Sequence, residues 1–110
     1  MTANDIRKKR TYIKIRKSLL DQLERSGNAT AHFTDLVEDY MKMYVVKELA
    51  AADIEENGIT IGYKNGANQY GTKKNDAVEL ALKTNQQMLK LLDMLGIKPD
   101  PKAGMEDEEL

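Results

Sequence analysis

The chain lacks cysteine and tryptophan, and its 110 residues include only two prolines and one phenylalanine. Without cysteine, neither a disulfide framework nor a thiolate metal site can form. No apolar run is long enough for a membrane span or a signal-peptide core, so the sequence predicts a soluble, intracellular protein with no membrane partner. A chain of this length forms at most one domain with a thin core, which association with further copies would help to stabilise.

Residues that could carry catalysis are also scarce. The single histidine, His32, has no second histidine or cysteine with which to bind a metal. Acidic residues recur at helical spacing without a neighbouring base or nucleophile, as they do on ordinary solvated helices. Segment 66–73 has two glycines at the spacing of a phosphate-binding loop, but Thr72 precedes Lys73 where such loops need the lysine first. The sequence therefore predicts no enzyme, no cofactor and no metal.

Positive charge is concentrated at the amino-terminal end. Residues 1–17 contain seven basic residues against Asp5 alone, a net charge of +6, whereas residues 98–110 have a net charge of −3. A cluster of this density can neutralise several phosphates and favours salt-sensitive DNA binding, although a solvated, solubilising face is the simpler alternative. The residues predicted to contact nucleic acid are Arg7, Lys8, Lys9, Arg10, Lys14, Arg16 and Lys17.

Periodicity predicts a mainly α fold in which a helical hairpin contains one long central helix. Residues 1–11 show no periodicity and are predicted to form a basic mobile arm. A first helix should run from about Tyr12 to Ser26, and the long helix should follow over residues 28–57, which contain no glycine or proline. The two should pack antiparallel. Alternating residues around Asn65 and Gly66 then predict a β-hairpin at 59–70 that leans on a helix through Ile59 and Ile61.

The third helix is predicted to begin at Thr72 or Asn75, to end at Gly96, and to be apolar on more than one side. Asn85 lies within its main stripe and either fixes the register of neighbouring helices or is simply exposed. The members of that stripe are Val78, Ala81, Leu82, Met88, Leu89, Leu92 and Leu95. Because the apolar face of the long helix also rotates after Val45, contacts between copies are predicted at Tyr44, Val45, Val46, Leu49, Leu80, Leu91 and Met94.

The predicted organisation has three parts. The arm of residues 1–11 precedes a helical oligomerisation domain over residues 12–97, which includes the β-hairpin. Residues 98–110, which contain Pro99 and Pro101 and a run of acidic residues at 106–109, are predicted to be a disordered acidic tail.

Several stretches, in order, resemble the small terminase subunits of tailed bacteriophages. They are residues 31–41 (AHFTDLVEDYM), 53–59 (DIEENGI), 65–71 (NGANQYG) and 76–97, and the likeness extends from about Leu19 to Pro101.

The resemblance implies a ring of roughly eight to ten subunits that is not an enzyme. Such a ring would bind double-stranded viral DNA in the cytoplasm of the infected bacterium and recruit the large subunit, whose ATPase and nuclease package and cut the genome. It also implies that the large subunit binds Glu106, Asp107, Glu108, Glu109 and Leu110.

Two other functions remain open. Residues 12–16 alternate apolar and basic side chains, as the strand of a ribbon-helix-helix repressor does, and Lys14 and Arg16 would then enter the major groove. Such a repressor would be a dimer, with no role for the β-hairpin and the third helix. A structural adaptor that binds no DNA is the third alternative.

Overall fold

The computed structural model describes residues 1–64, 66 and 69–97. Its elements in chain order are α1 (Ala3–Arg7), α2 (Arg10–Arg25), α3 (Ala31–Asn57), β1 (Thr60–Lys64), β2 (Tyr70–Lys74) and α4 (Asp76–Leu95). The predicted fold class, mainly α with a long central helix and one small β-hairpin, is confirmed. Within the described ranges, no helix has the length and apolar character needed to cross a membrane.

Helix α2 packs antiparallel against the first half of α3. The Tyr12 and Tyr44 rings lie 6.0 Å apart, and one turn further along α2 the guanidinium of Arg16 reaches Glu38 on the preceding turns of α3. This pairing places residues 12–16 in a helix, so the described chain has no strand from which a ribbon-helix-helix protein could build its DNA-binding ribbon.

Helix α4 runs antiparallel along α3, because its amino-terminal end lies beside Gly58 and its carboxy-terminal end packs in the core with Val37. The core therefore lies where α2, the first half of α3 and the last turns of α4 meet. Its buried side chains are Leu19, Leu23, Val37, Met41 and Leu95.

Glycines end α2 and α4 with the same hydrogen-bond pattern. After α2, Gly27 has a φ of 78° and the amide of Asn28 donates to the Leu23 carbonyl at 2.8 Å. After α4, Gly96 has a φ of 68° and the amide of Ile97 donates to the Leu92 carbonyl at 3.1 Å. Both are Schellman motifs, in which a left-handed residue lets the chain satisfy the last helical carbonyls. The predicted ends of these helices are confirmed.

Residues 1–11, predicted to be a mobile arm, contain the short helix α1. Thr2 and Asp5 cap it reciprocally, because the Asp5 amide donates to the Thr2 hydroxyl and the Thr2 amide donates to the Asp5 carboxylate. Ile6 is 1% exposed and is the side chain that anchors α1, which packs against α3. A five-residue helix with one apolar residue shows no periodicity, so its capping pair was the only signal available. Motion of this segment in solution stays a prediction.

The β-hairpin pairs β1 with β2 in the antiparallel register that joins Thr60 to Lys74 and Lys64 to Tyr70. The second strand therefore continues four residues beyond the predicted end at residue 70, in a lysine-rich stretch without apolar alternation. Ile61 is half-buried, as a residue that leans on a helix should be, but Ile59 is 65% exposed, contrary to the prediction.

The base of the hairpin is closed by Asn75, which is the amino-terminal cap of α4 as predicted. Its side-chain oxygen accepts from the Ala77 amide at 3.0 Å, and its side-chain nitrogen donates to the Gly58 carbonyl at 2.9 Å. The Asn75 amide also donates to the Ile59 carbonyl at 2.8 Å. One buried asparagine thus joins the end of α3 to the start of α4.

The predicted stripe on α4 is wrong in part, because the helix is rotated relative to it. The face that packs against α3 contains Ala77 and Thr84, two small residues that were not counted as apolar. Leu82 and Leu89 were assigned to the core-facing stripe, yet they are 60% and 59% exposed. Small side chains let two helices approach closely, and Leu82 and Leu89 lie on the adjoining, exposed face of α4.

Candidate nucleic-acid interface

Three predicted DNA-binding residues form a stripe along α2. Arg10, Lys14 and Lys17 are separated by four and three residues and therefore lie on one side of the helix, opposite the buried Leu19 and Leu23. Arg10 and Lys17 are exposed and Lys14 is half-buried. Within the described residues none of these three side chains forms an ion pair, so their positive charge is available to an anion.

Arg16 does not belong to this stripe. Its side chain points toward α3, where Nε and Nη2 lie 2.8 and 2.7 Å from the same carboxylate oxygen of Glu38. Nearly half of each side chain stays exposed, so the pair adds little stability, but it does neutralise the charge of Arg16. The structure therefore separates Arg16 from the other cations that the sequence grouped with it.

The junction between α1 and α2 carries the remaining cations. Lys8 is the carboxy-terminal cap residue of α1, and Lys9 is the amino-terminal cap residue of α2. The Lys9 side chain makes no capping hydrogen bond, and the first turn of α2 contains no acidic residue. Positive side chains at the positive end of a helix dipole repel it, and a bound anion would relieve that repulsion. Arg7 instead donates to the side-chain oxygen of Asn4 at 3.0 Å.

An apolar side chain accompanies the cations of α2. Ile13 is 55% exposed and lies on the helix beside Arg10 and Lys17. Sequence reasoning treated it as part of an apolar pattern, whereas the structure places it on the solvent side of α2.

A second group of cations lies in the β-hairpin and was missed from the sequence. Lys64, Lys73 and Lys74 are exposed, and the chain contains no acidic residue between Glu56 and Asp76. The lack of acidic residues in this segment was the signal for a second basic group, because acidic residues are otherwise frequent along the chain.

His32 lies in the first turn of α3, and two carboxylates of the described chain have shifted pKa values. His32 is exposed and its ring contacts the Phe33 ring edge-on at 5.6 Å between centroids. In the described part of the chain, no group of three or more histidine, cysteine or acidic residues is placed to hold a metal. Of the two shifted carboxylates, a hydrogen bond from Lys83 is the main cause that lowers the pKa of Glu79, and hydrogen bonds from Thr2 lower that of Asp5.

The residues predicted to contact other copies differ in the fraction of each side chain that is exposed. Leu80 and Met94 are 48% and 60% exposed, and Leu91 is half-buried. Val45, in contrast, is only 5% exposed, and Tyr44 already packs against Tyr12. Val46 and Leu49 are half-buried. The predicted large-subunit segment, residues 106–110, lies outside the described residues.

Comparison with known proteins indicates the family to which the chain belongs. A family model described as "Phage terminase, small subunit" matches residues 13–109. Neither the curated proteins nor the solved structures gave a significant match. The match covers α2, α3, the β-hairpin and α4, and therefore nearly the whole helical core. This chain belongs to the family of phage terminase small subunits.

Proposed function

We propose that this protein is the DNA-binding, non-catalytic small subunit of a phage terminase and acts in genome packaging in the cytoplasm of the infected host. Small subunits of this family are generally non-catalytic, and a packaging role follows from family membership. The observation that carries the DNA-binding part is the stripe of Arg10, Lys14 and Lys17 on the solvent side of α2. It gives duplex phosphates a row of unpaired cations on a rigid helix.

DNA retardation by charge-matched variants tests this proposal. Replacing the stripe (Arg10→Gln/Lys14→Gln/Lys17→Gln) should weaken binding to a duplex of random sequence by about tenfold or more at low salt, because several phosphate contacts are lost together. The control Lys42→Gln/Lys83→Gln/Lys90→Gln removes the same charge from α3 and α4 and should bind nearly as wild type does. Equal binding by the two variants would contradict the proposal, and no binding by the wild type would favour a structural adaptor.

The protein is further proposed to assemble as a closed ring of identical copies. Leu82 and Leu89 continue a spacing of four and three residues that includes Val78, Asn85 and Leu92. This is the spacing of a coiled-coil seam, in which an exposed asparagine can fix the register. Because the central leucines of the seam are exposed in the single chain, a second copy would bury them.

Native mass measurement checks the assembly. The wild type should give a single oligomer larger than a dimer, whereas Leu82→Gln/Leu89→Gln should shift the mass toward the monomer. The control Lys83→Gln/Lys90→Gln changes the next residue in each case, about 100° around the helix, and should leave the mass unchanged. A wild-type monomer or compact dimer would refute the ring.

Recruitment of the large ATPase-nuclease subunit is proposed for residues 106–110, on the basis of family membership and the acidic sequence. Removal of residues 106–110 should abolish co-purification with the large subunit while leaving DNA retardation unchanged. Undiminished co-purification would exclude this segment as the binding site.

A further inference from the structure

The packing of α3 against α4 does not require the β-hairpin that connects them. The carbonyl of Ile59 and the amide of Asn75 are hydrogen-bonded at 2.8 Å, so the residues that flank the two strands are already in contact. A loop of a few residues would connect α3 to α4 at this distance. The chain instead inserts two strands between these points, which suggests that the strands have a role of their own.

One face of the hairpin is polar, positively charged and wholly exposed. Side chains alternate between the two faces of a strand, and the register places Lys64 opposite Tyr70 and Thr60 opposite Lys74. Thr72 and Gly62 complete this face, and all six residues are exposed. Lysine ammonium groups together with threonine and tyrosine hydroxyls are the side-chain groups that proteins use to contact DNA phosphates.

Electrostatics favour an anionic partner. In the described residues no carboxylate forms an ion pair with Lys64, Lys73 or Lys74, although Lys74 lies close enough to Glu79 to help to lower its pKa. The Lys64 ammonium lies 5.6 Å from the centre of the Tyr70 ring, which is itself three-quarters exposed. The hairpin thus presents three lysines and no acidic residue.

Pairing with a strand of another copy is the competing use of a two-stranded sheet, because both of its edges are open. Lysines on short edge strands are a common device against such pairing, since two lysine-rich edges repel each other. On the opposite face, the Tyr63 ring packs over Gly71, whose added Cβ would lie 2.8 Å from that ring, and Ile61 is half-buried. The chemistry therefore favours a polyanion over a second hairpin.

We propose that the β-hairpin is a second DNA-binding element that contacts the duplex backbone through Lys64 and Lys74, which share its exposed face. A two-stranded ribbon has the width to enter the major groove, and lysines at both ends of the strands can reach the phosphates that border it. The inference rests on the proposed DNA-binding function and adds a contact that is separate from the stripe on α2.

Two variants test the hairpin without disturbing the helices. Lys64→Gln/Lys74→Gln keeps the strands, and a second variant replaces residues 60–74 by a short Gly-Ser linker, which the hydrogen bond between Ile59 and Asn75 allows. Each should weaken duplex binding by about tenfold at low salt and reduce the slope of log Kd against log salt by about two. The control Lys83→Gln/Lys90→Gln removes the same charge from α4 and should keep the wild-type slope.

The outcomes separate this inference from the broader proposal. If the lysine variant of the hairpin binds as the control does while the stripe variant on α2 loses binding, the hairpin inference is wrong and DNA binding by the protein stands. If the wild type binds no duplex at any salt concentration, both fail. A hairpin deletion that changes the native mass, combined with unchanged DNA binding by the lysine variant, would show that the hairpin joins copies instead.

Discussion

The two halves of α3 are packed in different ways. The first half lies between α2 and α4 and contributes Val37 and Met41, which are 0% and 1% exposed, to the core. The second half is rich in alanine, and the neighbour that replaces α2 there is the five-residue helix α1. The first half is therefore stabilised by large apolar side chains, and the second by small ones and by hydrogen bonds at its end.

This difference bears on function, because α1 and the β-hairpin lie at the less packed half, whereas Lys14 and Lys17 lie on α2 beside the first half. Helix α1, which leads into the cationic residues 7–10, rests on the second half through Ile6, and the β-hairpin begins where that half ends. The structure thus combines an end that contains the main apolar core with an end that carries α1 and the β-hairpin.

The largest effect is expected for Met41→Ala, in the firmly packed half. Removal of this side chain should lower the free energy of unfolding by about 3 kcal/mol, because a cavity remains among the leucines of α2 and α4. Denaturant unfolding at a fixed protein concentration measures the change, and Lys42→Ala, on the exposed neighbour, should have almost no effect. Equal losses for the two variants would contradict the assignment of the core.

A smaller effect, about 2 kcal/mol, is expected for Asn75→Ala at the end of the second half. The variant loses the cap of α4 and leaves the Gly58 carbonyl without its donor. Asn75→Asp keeps the side-chain oxygen that caps α4 but loses the nitrogen that donates to the Gly58 carbonyl. Its loss of unfolding free energy should therefore be greater than zero and no greater than that of Asn75→Ala. Asn85→Ala, at an exposed asparagine of the same helix, is the control for unfolding by denaturant.

Ile6→Ala should have a still smaller effect on global stability, less than about 1 kcal/mol, because α1 can unfold locally while the core remains intact. Amide hydrogen exchange should show the difference between the halves directly: protection in residues 3–7 is lost, and protection in the first half of α3 is unchanged. A shift in the global unfolding midpoint as large as that of Met41→Ala would show that the two halves unfold as one unit.

Acidification should produce the smallest and most local effect. Hydrogen bonds from Thr2 lower the pKa of Asp5 below its ordinary value of 3.8. A carboxylate whose pKa is lowered by folding stabilises the fold above its unfolded pKa, and that contribution disappears as the pH falls through the folded value. Backbone chemical shifts of α1 should therefore move toward unfolded values below about pH 4. Asp5→Ala should remove this pH dependence.

Much of the fold could be predicted because its boundaries are set locally. Gly27, Gly58 and Gly96 end three helices, and Asn75 caps α4, each through backbone requirements that hold in any context. The face that α4 presents to α3 could not be predicted in the same way. It depends on how closely two helices approach, and small residues such as Thr84 decide that distance without appearing apolar in the sequence.

The candidate site could likewise be predicted only in part. The density of basic residues is visible in the sequence, but whether a given cation is free depends on its neighbours in three dimensions. Arg16 is neutralised by Glu38, twenty-two residues away, whereas Lys64 in the β-hairpin has no carboxylate partner within the described residues. Whether a cation is paired depends on the fold, because Arg16 and Glu38 are too far apart in the sequence for a local spacing to relate them.

The motif that ends α4 also fixes where the chain exits. Gly96 and Ile97 lie beside Gln22 and Ser26, at the turn that follows α2, whereas the β-hairpin lies at the other end of α4, about 30 Å away. The described chain therefore ends at the pole opposite the lysine-rich strands, one helix length from the proposed second contact with DNA.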